Sequence, residues 1–412
     1  MKFLKRKKTK QSYLTLDIGS VYIKAVIFSV EDGKINILGY GKHQQKEIAI
    51  KEGIIQDLSL VVENCELAIT QASLQAGVRP AETVIGLAGE QIKGFTTIVQ
   101  FERNNPKSKI SEKEIMNIVE KVQETAYKSS LQKFRDEIGR DDLEIKLINA
   151  ALTHIMLDGN VAEDPIGFPG QKMQMGVFNA YTPLVQIGNL QKLAAKLGVD
   201  LIGIATEPYT LADIVIPKDD LDFGAIILDI GGDTTNLIII QNQEVVGTRM
   251  FALGGRSISN SIAKEFNIAF EEAEQLKEKY VQKTLEDKNQ IEKIHQIILD
   301  NLFYWETGLE VSLSEFDDLD YFPAKVILVG GESLLPEIKE SVDKVLKSSS
   351  FTFHEDVSIE ILTPQQLDQF VDKTGRLESP QEIVPLSLAK MMEDLIEEKS
   401  DFDTAIREGV KL

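Results

Sequence analysis

Two stretches decide the fold: DIGSVYIK at 17–24 and DIGGDTTN at 229–236. Each follows a run of β-branched and apolar residues, YLTL at 13–16 and FGAIIL at 223–228, and each leads into a second such run. A strand, an aspartate at its end, a glycine-containing turn and a second strand is a hairpin pattern. A third related element, VILVGGESLLPEI at 326–338, reads as a buried strand, two glycines and a helix start. Two pseudo-equivalent hairpins followed by strand–Gly-Gly–helix point to an internal duplication, and hence to an α/β chain built from two related domains.

The same residues carry a chemistry. A phosphate chain needs backbone N–H donors, close approach of the main chain, and a metal whose water shell is anchored by carboxylates. Glycine serves the first two needs, because no side chain holds the anion away. Asp17 ends one strand and is followed by Gly19 and Ser20; Asp229 ends the other and is followed by Gly231, Gly232, Asp233 and Thr234. Two such turns facing each other would clamp the phosphates of ATP from both sides, with Mg²⁺ lying between Asp17 and Asp229 and keeping its waters. Gly330 and Gly331, next to Glu332, would let the backbone pass close to adenine and ribose. Ser20 and Lys24 are within reach of phosphate, although the strand spacing of Lys24 equally suits a side chain in solvent. Each hairpin alone is an ordinary tight turn. The three pieces in this order are the signal.

Composition sets the bounds. A length of 412 residues calls for two or three domains. Apolar residues at 43 % suffice for real cores, and no run approaches the roughly 18 apolar residues of a membrane span. The single cysteine, Cys65, leaves no internal disulfide and fits a reducing cytoplasm. A net charge of -20 argues against broad nucleic-acid binding. MKFLKRKKTK at 1–10 lacks the apolar core and cleavage site of a secretory signal. It reads either as a solvated tail or as a weak lipid contact, at roughly 1 kcal/mol per basic residue. From Met391 onward the chain is mostly acidic.

Amphipathic helices are expected at 57–77, 187–197, 257–280 (with a break near Asn267) and 287–313, the last carrying the only tryptophan, Trp305. The stretch 82–183 interrupts this scheme as a small α+β module with a turn-rich loop at 157–173. His43, His154, His295 and His354 are scattered without ligand spacing, and Cys65 lies on an apolar helix face.

The three turn motifs resemble the phosphate-1, phosphate-2 and adenosine motifs of the actin, Hsp70 and sugar-kinase superfamily. Within it the chain is most similar to the FtsA family of bacterial division proteins, which tie FtsZ to the membrane. The closer likeness rests on DPIGFPGQKMQM (164–175), LGGRSISNSIAKEFNIAFEEAEQLKEKY (253–280) and Glu207-Pro208, and it covers roughly residues 13–390. It implies an actin/Hsp70-like (ribonuclease H-like) two-domain α/β fold with an inserted α+β 1C (SHS2-like) subdomain. Domain 1A would comprise 12–81 and 184–217, 1C would be 82–183, 2A would be 222–256 and 322–395, and 2B would be 257–321. A basic tail (1–11) and an acidic tail (396–412) would flank them. The resemblance further implies ATP and Mg²⁺ as cofactors, with at most slow hydrolysis, and puts Glu207 and Asp213 where the family positions the attacking water; Asp213 equally suits surface charge. Expected partners are the FtsZ C-terminal tail on 257–321, further copies of the chain in a filament or oligomer, and the cytoplasmic face of the inner membrane at the division site, reached peripherally or through a membrane partner.

The departures from the family are specific. Its second phosphate loop commonly reads D-x-G-G-G-T-x-D, whereas Asp233 and Asn236 stand here at the third glycine and the last aspartate. A carboxylate at 233 either repels a terminal phosphate or helps to hold the metal. Glu332 replaces a small residue, and SDFDTAIREGVKL at 400–412 is unlike an amphipathic membrane helix. An alternative is a PilM-like component of type IV pilus machinery, which shares the fold and binds the cytoplasmic tail of a membrane partner. A sugar kinase would need a catalytic base and a sugar pocket, and neither is evident. An Hsp70 would need a substrate domain after residue 390.

Overall fold

The computed structural model describes residues 11–396, apart from 47–48, 52–53, 88–92, 139–143, 163, 218–221, 318 and 348–350. The expected tails at 1–11 and 396–412 lie outside the described residues but for Gln11 and Ile396.

The chain opens with β1 (Tyr13–Ile18), β2 (Tyr22–Glu31) and β3 (Lys34–Gln44), the short pair β4 (Ile50–Lys51) and β5 (Ile54–Ile55), α1 (Leu58–Ala76) and β6 (Glu82–Leu87). Then come β7 (Lys93–Glu102), α2 (Glu112–Ile138), β8 (Ile145–Leu157), β9 (Asn160–Val161) and β10 (Lys172–Pro183). α3 (Leu184–Leu197), β11 (Asp200–Thr206) and α4 (Glu207–Val215) lead to β12 (Ala225–Ile230), β13 (Thr235–Gln241) and β14 (Glu244–Phe251). Three helices follow, α5 (Gly255–Phe266), α6 (Phe270–Val281) and α7 (Lys288–Ser314). The last elements are β15 (Lys325–Val329), α8 (Ile338–Leu346), β16 (Ser358–Ile361), β17 (Phe370–Asp372) and α9 (Ile383–Ile396).

The duplication is visible in the sheets. The first runs β11-β6-β1-β2-β3-β17 and the second β14-β13-β12-β15-β16. In each, three antiparallel strands (β1–β3 and β12–β14) are extended by parallel strands on the side of the first (β6 and β11; β15 and β16). The homologous strands β1 and β12 are buried along their whole length, as central strands covered on both faces must be. A separate antiparallel sheet, β7-β10-β8-β9, shares a core with α2 between 93 and 183. Arg103 pins its loops: the guanidinium donates to Glu114 Oε1 at 2.8 Å and to the Gly170 carbonyl at 2.6 Å.

Three segments depart from the expected division. β6, which the sequence reading put at the head of the inserted module (82–183), lies between β11 and β1 in the first sheet. Thr83, Val84 and Ile85 are all fully buried there. β17 and α9, expected in the second domain (322–395), join the first sheet instead. β17 pairs with β3, and Leu386, Leu388, Ala389 and Met392 of α9 bury against Val26, Phe28 and Val84. The same core includes Leu211 of α4 and Ile227, Ile238 and Ile240 of the second sheet. α4 and α9 therefore cross between the two sheets and hold them face to face.

Local signals set the element ends. Asp57 caps α1 by accepting from the Ser59 and Leu60 N–H groups at 2.9 and 3.1 Å, and Gly77 ends it at φ +68°. Asn267 takes φ +50° and separates α5 from α6. α1 lies directly on β3, because Gly39 and Gly41 bring backbone against backbone: a Cβ at 41 would stand 1.9 Å from the Ala68 carbonyl oxygen. Gly41→Val should therefore lower stability by about 3 kcal/mol or more, since the clash is with main chain that cannot swing aside. Urea denaturation of the variant checks this, and an unchanged midpoint would contradict the packing described.

Candidate functional site

A cavity of about 350 Å³ opens between the two sheets. It is lined by Asp17, Gly19, Ser20 and Lys24 from the first hairpin, by Asp229, Gly231, Gly232, Asp233 and Thr234 from the second, by Glu207 of α4, and by Gly330, Gly331 and Glu332 after β15. Asp213 does not join them. It is exposed on α4, six residues past Glu207, a spacing that turns it through about 240° of helix.

Register explains why the aspartates face each other. In each hairpin the strand-ending aspartate lies opposite the residue seven further on, Asp17 opposite Lys24 and Asp229 opposite Asn236. The cross-strand contact is an ion pair in the first hairpin, Lys24 Nζ to Asp17 Oδ2 at 2.7 Å. In the second it is an amide donor, Asn236 Nδ2 to Asp229 Oδ2 at 3.3 Å. Lys24 therefore points into the cavity. The turns stay narrow because glycine is required in them: Gly330 takes φ +85°, and a Cβ there would meet the Ile230 carbonyl oxygen at 2.5 Å.

The floor of the cavity is acidic. Glu207 starts α4 fully buried, and its Oε1 has no hydrogen-bond partner. Burial pushes its carboxyl far above the usual carboxylate range, and Asp17 and Asp229 add to this against the pull of Lys24. Burial likewise raises Asp229 to about 6, opposed by the Asn236 hydrogen bond and by Lys24. Burial disfavours the Lys24 ammonium, yet Asp17 lifts its pKa above the ordinary lysine value. Three carboxylates thus share one buried ammonium, an imbalance that an added divalent cation would relieve. Among the described residues no three acidic, histidine or cysteine side chains are close enough to ligate an ion directly. The donor set suits a hard cation that keeps its waters, as Mg²⁺ does.

Other cavity residues carried no usable sequence signal. Glu274, Lys277 and Glu278 lie one turn apart on α6 and face inward. Lys277 Nζ bonds Glu332 Oε1 at 2.6 Å and Glu274 Oε2 at 3.2 Å, so Glu332 is neutralised inside the fold. Tyr22 Oη donates to Glu278 Oε1 at 2.8 Å across the cleft, and Lys42 Nζ sits 3.7 Å from the Tyr22 ring centroid. The spacing of Glu274, Lys277 and Glu278 is helical, but a Glu/Lys-rich helix reads as a solvated face; only its placement against the cavity says otherwise. His295 pairs with Glu337 at 2.7 Å outside the cavity, and Trp305 is buried, donating to Thr235 Oγ1 at 2.9 Å.

A family model described as "Cell division protein FtsA" matches residues 226–382. The cell division protein FtsA of Enterococcus faecalis is 24 % identical over 357 residues, spanning 82 % of this chain and 77 % of that one. That of Streptococcus pneumoniae is 25 % identical over 348 residues, spanning 80 % and 72 %. By sequence, the chain is similar to the FtsA proteins along most of its length.

The fold is the actin-like one. A solved structure described as the PilM-PilN type IV pilus biogenesis complex superposes with a TM-score of 0.63 at 17 % identity, over 97 % of this chain and 99 % of that one. The ethanolamine utilization protein EutJ from Carboxydothermus hydrogenoformans gives 0.50 at 14 %, over 93 % and 91 %. At such identities the likeness is one of fold alone.

The buried acids have a measurable signature. Folded Asp229 keeps its proton up to about pH 6, whereas an unfolded aspartate loses it near pH 4. The folded state binds more protons across that window, so stability falls as pH rises through it. Asp229→Asn removes this contribution. Relative to the unsubstituted protein, the variant should gain on the order of 2–3 kcal/mol between pH 4 and pH 6.5 in urea denaturation with a chelator present. A difference that stays constant with pH would contradict the assignment.

Proposed function

We propose that this chain is a cell-division protein that binds ATP with Mg²⁺ in the interdomain cavity, assembles with itself, and links FtsZ to the cytoplasmic face of the membrane. The observation that carries the reading is the convergence of both aspartate turns and the Gly330-Gly331 pair on one cavity. It occurs in a chain whose division-protein relatives align over four-fifths of its length, 82 % in one case. Asp17 and Asp229 would hold the hydrated cation, and the glycine turns would bring backbone to the phosphates. Bound Mg²⁺ supplies neutralisation of phosphate charge. Glu207, unpartnered at Oε1, is placed to accept a hydrogen bond from a water. Asp213, exposed on α4, is turned away from this position, and turnover in this reading is slow at most. Nucleotide then acts as a conformational ligand, biasing the separation of the two lobes through differential affinity. Head-to-tail contacts between such lobes extend into filaments when no rotation closes them.

The division into 1A, 1C, 2A and 2B remains part of this reading, with the boundaries moved as β6, β17 and α9 require. α5–α7 would form 2B. Along α7, Phe303 and Tyr304 are 62 % and 65 % exposed, and Leu299 and Val311 are exposed on the same helix. An apolar helical face of this kind supports the docking of a short peptide, here the FtsZ C-terminal tail. Membrane contact would come from the basic segment 1–10, outside the described residues, or from a membrane partner. Among the described residues no helix is long and apolar enough to cross a membrane. The PilM-like alternative rests on shape, the 0.63 superposition, and predicts a different peptide.

The test is fluorescence anisotropy with a labelled peptide copying the host FtsZ tail, Mg²⁺-ATP present. Saturable micromolar binding that Phe303→Ala with Tyr304→Ala weakens about tenfold or more is expected, the size of an aromatic anchor. No binding, together with tight binding to the N-terminal tail of a PilN-like membrane protein, would overturn the division reading.

A further inference from the structure

Asp233 stands where the family's second turn usually carries glycine, and its surroundings tie the two turns directly together. Its backbone N–H donates to Ser20 Oγ at 3.1 Å. Its carboxylate accepts from Arg256 Nε, and the same guanidinium donates through Nη2 to the Ser20 carbonyl at 2.6 Å. Both side chains are nearly buried, at 12 % and 8 % exposure for Arg256 and Asp233. Gly232 is pressed against the opposite turn: a Cβ there would lie 2.3 Å from Val21 Cγ2 and 2.8 Å from Ser20 Oγ. Arg256 is itself fixed, because its N–H donates to the Gly232 carbonyl at 2.8 Å at the start of α5.

We propose that Asp233, latched to Arg256, takes the place of a terminal phosphate and sets the preference of the cleft for a nucleoside diphosphate over a triphosphate. The inference rests on the nucleotide reading above and adds a specificity residue to it. Two donors that the turn tips offer an anion, the 233 N–H and the 256 guanidinium, are already engaged by protein acceptors. A third phosphate must part the turns, break a charge-assisted pair, and bring its own charge toward a nearly buried carboxylate. A diphosphate, one phosphate shorter, leaves the latch closed. Triphosphate binding and latch opening are then one event, so the number of phosphates is read out as the separation of the lobes.

The experiment is equilibrium titration of the full chain, with Mg²⁺, by fluorescent ADP and by a fluorescent non-hydrolysable ATP analogue, repeated with the near-isosteric Asp233→Asn. The unsubstituted protein should bind the diphosphate about tenfold or more tightly than the triphosphate, and Asp233→Asn should cut that ratio to about threefold or less by tightening the triphosphate. Equal affinity for the two nucleotides in the unsubstituted protein would overturn the inference, even if the variant failed to fold. So would a variant that weakens both nucleotides and loses its Mg²⁺ dependence, because Asp233 would then be holding the metal. If neither nucleotide binds either protein, the nucleotide reading falls, and this inference with it.

Discussion

Everything in this molecule is arranged around the burial of Asp17, Asp229 and Glu207 beside one ammonium, Lys24. Carboxylates resist leaving water unless they are paired or coordinate a cation. The fold nevertheless brings these three together from three elements, and leaves an oxygen of Glu207 with no partner. Two of the acids come from homologous hairpins of a duplicated sheet and the third from the first turn of a crossing helix. Their convergence therefore depends on the sheets facing each other. An arrangement that costs stability in the free protein is expected at a site whose ligand supplies the missing charge.

The rest of the architecture serves that convergence. α4 and α9 run between the sheets in a core shared by both, so the position of Glu207 is set by packing with both lobes. Above the acids the lobes are joined by polar contacts, Tyr22 to Glu278 on one side and the Ser20, Asp233 and Arg256 cluster on the other. Apolar packing at the base and polar contacts at the mouth suit an opening about the base, since partly buried polar ties at a cavity mouth exchange with water or ligand more readily than the apolar core.

What could be read from the sequence was local. An aspartate ending an apolar strand, followed by glycine, is a signal within ten residues, and all three turn motifs reached the cavity. Assignments that depend on which sheet a run joins were beyond it: TVIGL of β6 and the apolar helix α9 look the same whichever lobe they complete. Helix phase corrected Asp213, whose spacing from Glu207 turns it outward. Lys24 was undecided because a period-two pattern does not say which face is the cleft. Glu274, Lys277 and Arg256 were hidden for the opposite reason, since charged residues on short helices read as solvated until another lobe is packed over them.

The measurement that bears most directly on the account is thermal unfolding of the full chain with saturating Mg²⁺-ADP, with the same nucleotide in EDTA, and with Asp17→Asn in both. If the acid cluster holds a magnesium nucleotide, a hundredfold excess over Kd adds about 2.7 kcal/mol and raises Tm by a few degrees. This rise should disappear with EDTA and in Asp17→Asn. A rise that survives both would show binding that bypasses the paired aspartates, and no rise at all would show that the buried acids serve something other than a nucleotide.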